Sequence, residues 1–188
     1  MSETDQETLN GVTVGVFVAP EGTEDVEFTE SKAAVADAGA SVEILSSETG
    51  EARTVDNDLE WAESYEIDAT FSDVSADDYD ALVIPGGTVG ADKLRANEDA
   101  VTLVREHVAD DKPVGVICHG PWVLVEADAV EGRTLTSYPS LQTDVRNAGG
   151  EWVDEEVVTD EGFVTSRKPD DLPAFREEIV ETFAAESR

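Results

Sequence analysis

Short apolar runs alternate along this chain with longer segments of helical composition. The runs are VTVGVFV, SVEILS, YDALVIPGG, PVGVIC and GFVTSR. Runs such as VTVGVFV are typical of strands buried on both faces. The intervening segments include one long helix predicted over ADKLRANEDAVTLVREHVADD, with an apolar face made by Leu94, Val101, Val104 and Val108. The alternation predicts an α/β fold in which helices cover both faces of a mostly parallel sheet.

Segments outside this alternation are few. The stretch from Glu51 to Phe71 is polar and predicts a peripheral hairpin or excursion. Residues 1–10 predict a flexible acidic tail, and residues 11–188 a single domain. No apolar stretch approaches the ~18 residues of a membrane span, and the N-terminus is unlike a signal peptide. We therefore expect a cytoplasmic protein without a membrane partner.

The charge balance is strongly acidic. The chain has 44 Asp and Glu against 12 Lys and Arg, a net charge of −32. Such a surface repels phosphate, so we expect no nucleic-acid-binding surface and no affinity for anionic membranes. Its self-repulsion destabilises a compact chain in dilute buffer, but at molar salt the screening length falls to roughly 3 Å. We interpret the composition as an adaptation to a salt-rich cytoplasm.

Parallel sheets bind ligands beyond the carboxyl ends of their strands. Three turns lie at such ends, after Val18, after Pro85 and after Ile117. Cys118, the only cysteine, stands where a strand gives way to a helix, the layout of a nucleophile elbow. A helix N-terminus there lowers the pKa of a thiol. A reactive thiol is thus favoured over a buried structural cysteine.

Other residues at these turns offer supporting chemistry. His119 can move a proton, and its N–H, like that of Gly87, can bind an oxyanion. Glu24 follows the first strand, either as a carboxyl that reaches Cys118 or as a first-turn acid at a helix dipole. We expect His107 to lie on the surface near a helix C-terminus, where its charge would complement the helix dipole. Two histidines and one cysteine do not make a typical zinc site, so we expect no metal and no cofactor.

Several segments resemble the ThiJ/PfpI family, whose members include PfpI-type intracellular proteases and protein deglycases. The segments that carry the resemblance are EDVE, ALVIPGG, VICHGPW, GRTLTSYPSLQTDVRNAGGEWVDEEVV and TSRKPDDLPAF. The resemblance covers nearly the whole chain and implies a flavodoxin-like three-layer sandwich. With the acid excess, it indicates a haloarchaeal member of the family.

The resemblance also implies roles for individual residues. Cys118 would be the nucleophile, with Glu24 hydrogen-bonded to it and His119 as the catalytic histidine. Gly87 and His119 would supply the oxyanion N–H groups, and Tyr138 would lie near the pocket. Trp122 would pack the helix rather than touch substrate. Members form homodimers or homohexamers in which an acid of a neighbouring subunit approaches the histidine. In many members this acid follows the Gly pair at a spacing of four, and Asp92, five after Gly87, would be its counterpart here.

Three functions follow from this resemblance. The first is a cofactor-independent enzyme acting on glyoxals or on glyoxal adducts of proteins or nucleotides. The second is a PfpI-type cysteine peptidase, which we rank lower because the placement of its histidine is not given by the sequence. The third is a redox-sensing stress protein or chaperone. A glutamine amidotransferase is disfavoured because no histidine follows His119.

Overall fold

The computed structural model describes residues 8–187 of the chain. Twelve strands lie within this range: β1 (Thr13–Phe17), β2 (Glu21–Glu24), β3 (Ser41–Ser46), β4 (Glu51–Asp56), β5 (Glu60–Glu66), β6 (Ala69–Thr70), β7 (Ala81–Ile84), β8 (Val114–Ile117), β9 (Thr134–Leu135), β10 (Glu151–Trp152), β11 (Val158–Asp160) and β12 (Phe163–Ser166). The α-helices in the same range are α1 (Asp25–Asp37), α2 (Thr88–Arg95), α3 (Glu98–Ala109), α4 (Pro121–Glu126), α5 (Gln142–Asn147) and α6 (Leu172–Glu186).

The main sheet has seven strands in the order β11-β12-β8-β7-β1-β3-β6. All neighbouring pairs are parallel except β11 with β12. The predicted mostly parallel sheet is therefore confirmed. Because β8, β7 and β1 are parallel neighbours, the three turns after Val18, Pro85 and Ile117 meet at the carboxyl end of these strands.

Two apolar clusters cover the two faces of this sheet. One face packs against α3 and α4 through residues such as Leu103, Val104 and Leu124. The other packs against α1 and α6 through Phe28 and Phe175. The three layers predicted from the alternation are confirmed.

A smaller sheet, β2-β4-β5, lies beside the main one. Strands β4 and β5 are antiparallel and form the hairpin predicted for the polar stretch. The turn between them holds Asn57 and Asp58 in left-handed backbone conformations, with φ of +52° and +65°. This turn reaches the carboxyl end of the main sheet, where the candidate site lies.

The long helix predicted over residues 91–111 is wrong as a single element. It is two helices, α2 and α3, and Asn97 begins the second by accepting a hydrogen bond from the Ala100 N–H at 2.9 Å. The surface role expected for His107 is also wrong. The side chain is fully buried, and its Nε2 lies 2.9 Å from the Pro113 carbonyl oxygen.

The predicted tail of residues 1–10 is too long at its C-terminal end. Leu9 is fully buried, and its N–H donates to the Ala38 carbonyl at 2.8 Å. Residues 1–7 lie outside the described residues. Across residues 8–187, no helix has both the length and the apolar character of a membrane span.

Candidate active site

Cys118 occupies a strained turn directly after β8. Its φ is +65°, a left-handed conformation that is costly for a residue with a side chain. The turn is fixed by two hydrogen bonds, from the Cys118 N–H to the Ser166 carbonyl at 3.0 Å and from the Tyr138 N–H to the Cys118 carbonyl at 2.8 Å. Pro121 then begins α4. The chain thus has the strand–turn–helix geometry of a nucleophile elbow.

Glu27, and not Glu24, is the acid beside Cys118. The Glu27 side chain is fully buried and acts on the pKa of the neighbouring thiol, as the thiol acts on its own. Its Oε1 accepts the Gly86 N–H at 2.8 Å, and within residues 8–187 its Oε2 is buried without a hydrogen-bond partner. Burial is the main cause that raises the pKa of Glu27 to about 8. At neutral pH this carboxyl therefore holds a proton that it can donate.

Glu24 has a different set of partners. Its two carboxylate oxygens accept the backbone N–H groups of Asn57 at 2.7 Å and of Asp58 at 3.1 Å. Burial raises the pKa of Glu24, against the lowering effect of these two hydrogen bonds. The predicted contact between Glu24 and Cys118 is therefore wrong, because Glu24 stands at the start of α1 and faces the β4–β5 turn.

The pattern of α1 contains the signal that would have selected Glu27. Glu27, Ser31 and Val35 are spaced by four residues and are all buried, so they form one stripe of the helix. Glu24 precedes the helix and does not belong to that stripe. The EDVE motif alone offers two glutamates three residues apart and does not distinguish them.

Two backbone N–H groups stabilise the thiolate form of Cys118. Those of Gly87 and His119 both lower the pKa of the thiol, so the two donors predicted for an oxyanion site act on the same side chain. At Gly87, φ is +86° and a Cβ atom would overlap the Gly22 carbonyl oxygen, so only glycine fits this close approach.

The pKa of the thiol departs from expectation. Burial, followed by the charge of Glu27, raises the pKa of Cys118 and outweighs the lowering effect of the Gly87 and His119 N–H groups. The lowered value predicted from the helix N-terminus is therefore wrong for this site. Forming the thiolate needs a base, and the position of His119 supplies one.

The His119 ring lies between four side chains. Its Nδ1 is 3.2 Å from Cys118 Sγ, and its Nε2 is 3.3 Å from Thr88 Oγ1. The Tyr138 ring stacks on it with centroids 4.6 Å apart, and Trp122 meets it edge-on. Burial lowers the pKa of His119, so the imidazole is neutral at pH 7 and can accept a proton.

Asp92 is exposed on α2. Within residues 8–187, no hydrogen bond joins its carboxylate to His119. Its role in completing a neighbouring subunit's site stays a prediction. Over the same range, no group of three or more His, Cys, Asp or Glu side chains is arranged to hold a metal ion.

A hollow of about 230 Å³ adjoins the site on the side of the β4–β5 hairpin. Its lining includes Asp58 and three exposed apolar side chains, Leu59, Trp61 and Val89. Cys118 itself is only 6% exposed. The thiol is therefore almost closed to solvent, and the hollow lies next to Asp58 rather than over Cys118.

Comparison with known proteins gives consistent results. The family model described as "DJ-1/PfpI family" matches residues 12–182. General stress protein 18 of Bacillus subtilis is 44% identical over 84% of this chain and 90% of its own. Deglycase PH1704 of Pyrococcus horikoshii is 47% identical over 62% and 70% of the two chains. A two-domain protein from Anabaena variabilis with DJ-1/ThiJ/PfpI-like and ferritin-like domains superposes with a TM-score of 0.83 at 33% identity, covering 90% of this chain and 47% of that one.

Proposed function

The chain belongs to the DJ-1/PfpI family, and from that premise we propose that it is a cysteine-dependent enzyme acting on glyoxals and their early adducts. The observation that carries the proposal is that groups with three chemical roles surround Cys118. Glu27 supplies a proton, His119 Nδ1 accepts one, and the Gly87 and His119 N–H groups stabilise negative charge. The deglycase name of a relative supports the same substrate class.

In the first step, His119 Nδ1 takes the thiol proton and the sulfur attacks the aldehyde carbon. A carbon–sulfur bond forms, and the carbonyl electron pair moves onto oxygen. The two N–H groups bind this oxyanion. Glu27 then gives its proton to the oxygen, which leaves a hemithioacetal and a Glu27 carboxylate.

With methylglyoxal, the next step is an internal redox reaction. The Glu27 carboxylate removes the proton from the carbon that bears sulfur and returns it to the neighbouring carbonyl carbon. The hydroxyl proton of the first carbon passes to the oxygen of the second. The first carbon is thereby oxidised and the second reduced, giving a lactoyl thioester. Water cleaves the thioester to lactate and the free thiol. The sum, methylglyoxal plus water to lactate, needs no external oxidant.

A peptidase is the second candidate, because His119 Nδ1 lies within 3.2 Å of the sulfur, as thiol activation requires. The small exposure of Cys118 favours the aldehyde, since a folded polypeptide needs a wider approach than a three-carbon substrate. A redox sensor is the third, because a protonated Glu27 can also hydrogen-bond an oxidised sulfur.

The test is lactate formation from methylglyoxal in molar KCl by the wild-type protein and Cys118→Ala. Peptide cleavage and peroxide-induced mass change are measured in parallel. We expect lactate from the wild type and none from the variant, with Asn147→Ala, at an exposed position at the end of α5, as a folded control. Peptide cleavage without lactate would overturn the proposal in favour of a peptidase. Sulfur oxidation without either turnover would overturn it in favour of a sensor.

A further inference from the structure

Asp58 is linked to His119 through one side chain. Its Oδ1 accepts the Thr88 N–H at 2.6 Å, and its Oδ2 accepts the Thr88 hydroxyl proton at 2.9 Å. A carboxylate can only accept, so the hydroxyl proton is committed to Asp58. Thr88 Oγ1 also lies 3.3 Å from His119 Nε2. Having donated its only proton, this oxygen accepts from Nε2.

The direction of these bonds decides which ring nitrogen of His119 carries the proton. With a proton on Nε2, a neutral imidazole has a lone pair on Nδ1, the atom 3.2 Å from Cys118 Sγ. We propose that Asp58, acting through Thr88, holds His119 in the tautomer whose Nδ1 accepts the Cys118 thiol proton. Asp58 and Thr88 thus act on the thiol through His119, as positioning residues.

The inference also explains what Glu24 does. Asn57 and Asp58 both adopt positive φ, a conformation that asparagine and aspartate tolerate better than other residues with side chains. Glu24 accepts both of their N–H groups and so holds the turn that aims Asp58 at Thr88. Glu24 therefore affects the site indirectly, by fixing the backbone of Asp58.

Charge supports the same arrangement. The Asp58 carboxylate raises the pKa of His119 against the lowering effect of burial, so it favours the imidazolium that forms when the thiol proton arrives. The other ionisable groups near the ring are Cys118, the Tyr138 phenol stacked on it, and Arg95 beyond Trp122. Glu27 lies at the sulfur. Among the described residues, Asp58 is thus the carboxylate linked to the His119 ring.

The first test is ¹⁵N NMR of histidine-labelled protein in molar KCl. We expect a proton on Nε2 of His119 in the wild type. The amide introduced by Asp58→Asn donates to Thr88 Oγ1, whose own proton then turns to Nε2, so this variant should shift to the Nδ1–H tautomer. Thr88→Val should lose the preference, and Thr88→Ser should keep it. Asp56→Asn, a charge change on the same hairpin, should leave it unchanged.

The second test is reactivity. The rate of Cys118 alkylation by iodoacetamide should fall about 10- to 100-fold in Asp58→Asn and Thr88→Val, with recovery in Thr88→Ser. Turnover of methylglyoxal, which rests on the proposed function, should lose kcat by a similar factor with little change in KM. If Asp58→Asn does not fold, the comparison of Thr88→Val with Thr88→Ser tests whether the Thr88 hydroxyl sets the tautomer of His119.

Two results would overturn the inference: an Nδ1–H tautomer in the wild type, or wild-type tautomer and alkylation rates in Thr88→Val. A failure of the proposed function can be distinguished from a failure of this inference. If the wild type makes no lactate while the tautomer and alkylation change as expected, the role of Asp58 stands and the substrate class is wrong.

Discussion

Glu24 and Glu27 are three residues apart, and burial raises the pKa of both, yet their partners differ. Glu24 accepts backbone N–H groups from the hairpin turn, whereas Glu27 meets the thiol. The difference follows from the helix, because Glu27 lies in the first turn of α1 on its buried side and Glu24 precedes it. Each residue can therefore be tested separately.

Glu27 should give the enzyme a basic limit to its activity. A carboxyl with a pKa of about 8 is protonated below that pH and loses its proton above it. We expect kcat/KM for methylglyoxal to fall above about pH 8 as the proton donor is lost. Glu27→Gln should lower kcat/KM by about 10²- to 10⁴-fold and abolish this limb, because the amide cannot ionise.

Glu24→Gln is the matched comparison for Glu27→Gln. Its amide oxygen can still accept one of the two turn N–H groups, so we expect a smaller loss and a basic limb that remains near pH 8. Equal losses in the two variants, or a limb that moves with Glu24, would contradict the assignment of Glu27 as the proton donor.

His107 should make stability depend on pH in mildly acidic solution. Burial lowers its pKa from 6.5 to about 4. Between these values the unfolded chain binds a proton that the folded chain does not, so the free energy of unfolding falls as pH decreases from 6.5 to 4. One proton corresponds to about 1.4 kcal/mol per pH unit at most.

The measurement is urea unfolding of the wild type and His107→Gln at several pH values in molar KCl. The variant cannot titrate there, so its stability should fall less steeply than that of the wild type between pH 6.5 and 4. Above pH 7 the two slopes should agree. Parallel slopes over the whole range would show that His107 is not the group responsible.

The sequence contains enough information for some of these residues and not for others. Glu27 and His107 lie at helical spacing from buried neighbours, so their burial could have been predicted from local periodicity. The contact of Asp58 with Thr88 could not. It depends on how the β4–β5 hairpin packs beside the main sheet, and no local pattern encodes that packing.

At the scale of the elements, the strands were predicted more accurately than the helices. β3 coincides with the predicted run SVEILS, and β8 lies within PVGVIC. The break between α2 and α3 was missed because the apolar spacing continues across it. The signal for the break is local: Asn97 is a preferred N-cap residue, followed by acids at Glu98 and Asp99.

Asn97 should therefore stabilise the start of α3. Asn97→Ala removes the side-chain acceptor of the Ala100 N–H and should cost about 1 kcal/mol in the free energy of unfolding. Asn147→Ala, at the exposed last residue of α5, is the control and should cost less. Urea titrations in molar KCl measure both, and equal effects would argue against the cap.

The charge of the whole molecule predicts a requirement for salt. With 44 acidic and 12 basic side chains, most carboxylates have no basic residue available for pairing. Their repulsion extends over about 10 Å at 0.1 M salt and only about 3 Å at 1 M. We expect structure or assembly to be lost when KCl falls well below molar.

Far-UV circular dichroism and size-exclusion chromatography across a KCl series would measure this dependence. NaCl is the control, since screening depends on ionic strength rather than on the cation. A spectrum and an elution volume that stay constant down to dilute buffer would contradict the halophilic interpretation. The same chromatography in molar KCl tests the proposed homodimer or homohexamer.

The edges of the seven-stranded sheet have a consequence for solubility at the salt this protein is expected to need. Charge ordinarily keeps proteins apart in solution, but molar salt removes that protection beyond a few ångströms. The outermost strands are β6, with two residues, and β11, with three and antiparallel to its neighbour. Such short edges offer few free N–H and C=O groups on which another chain could add a strand. We therefore expect the short edges of the main sheet, and not the acidic surface alone, to limit strand addition in molar salt.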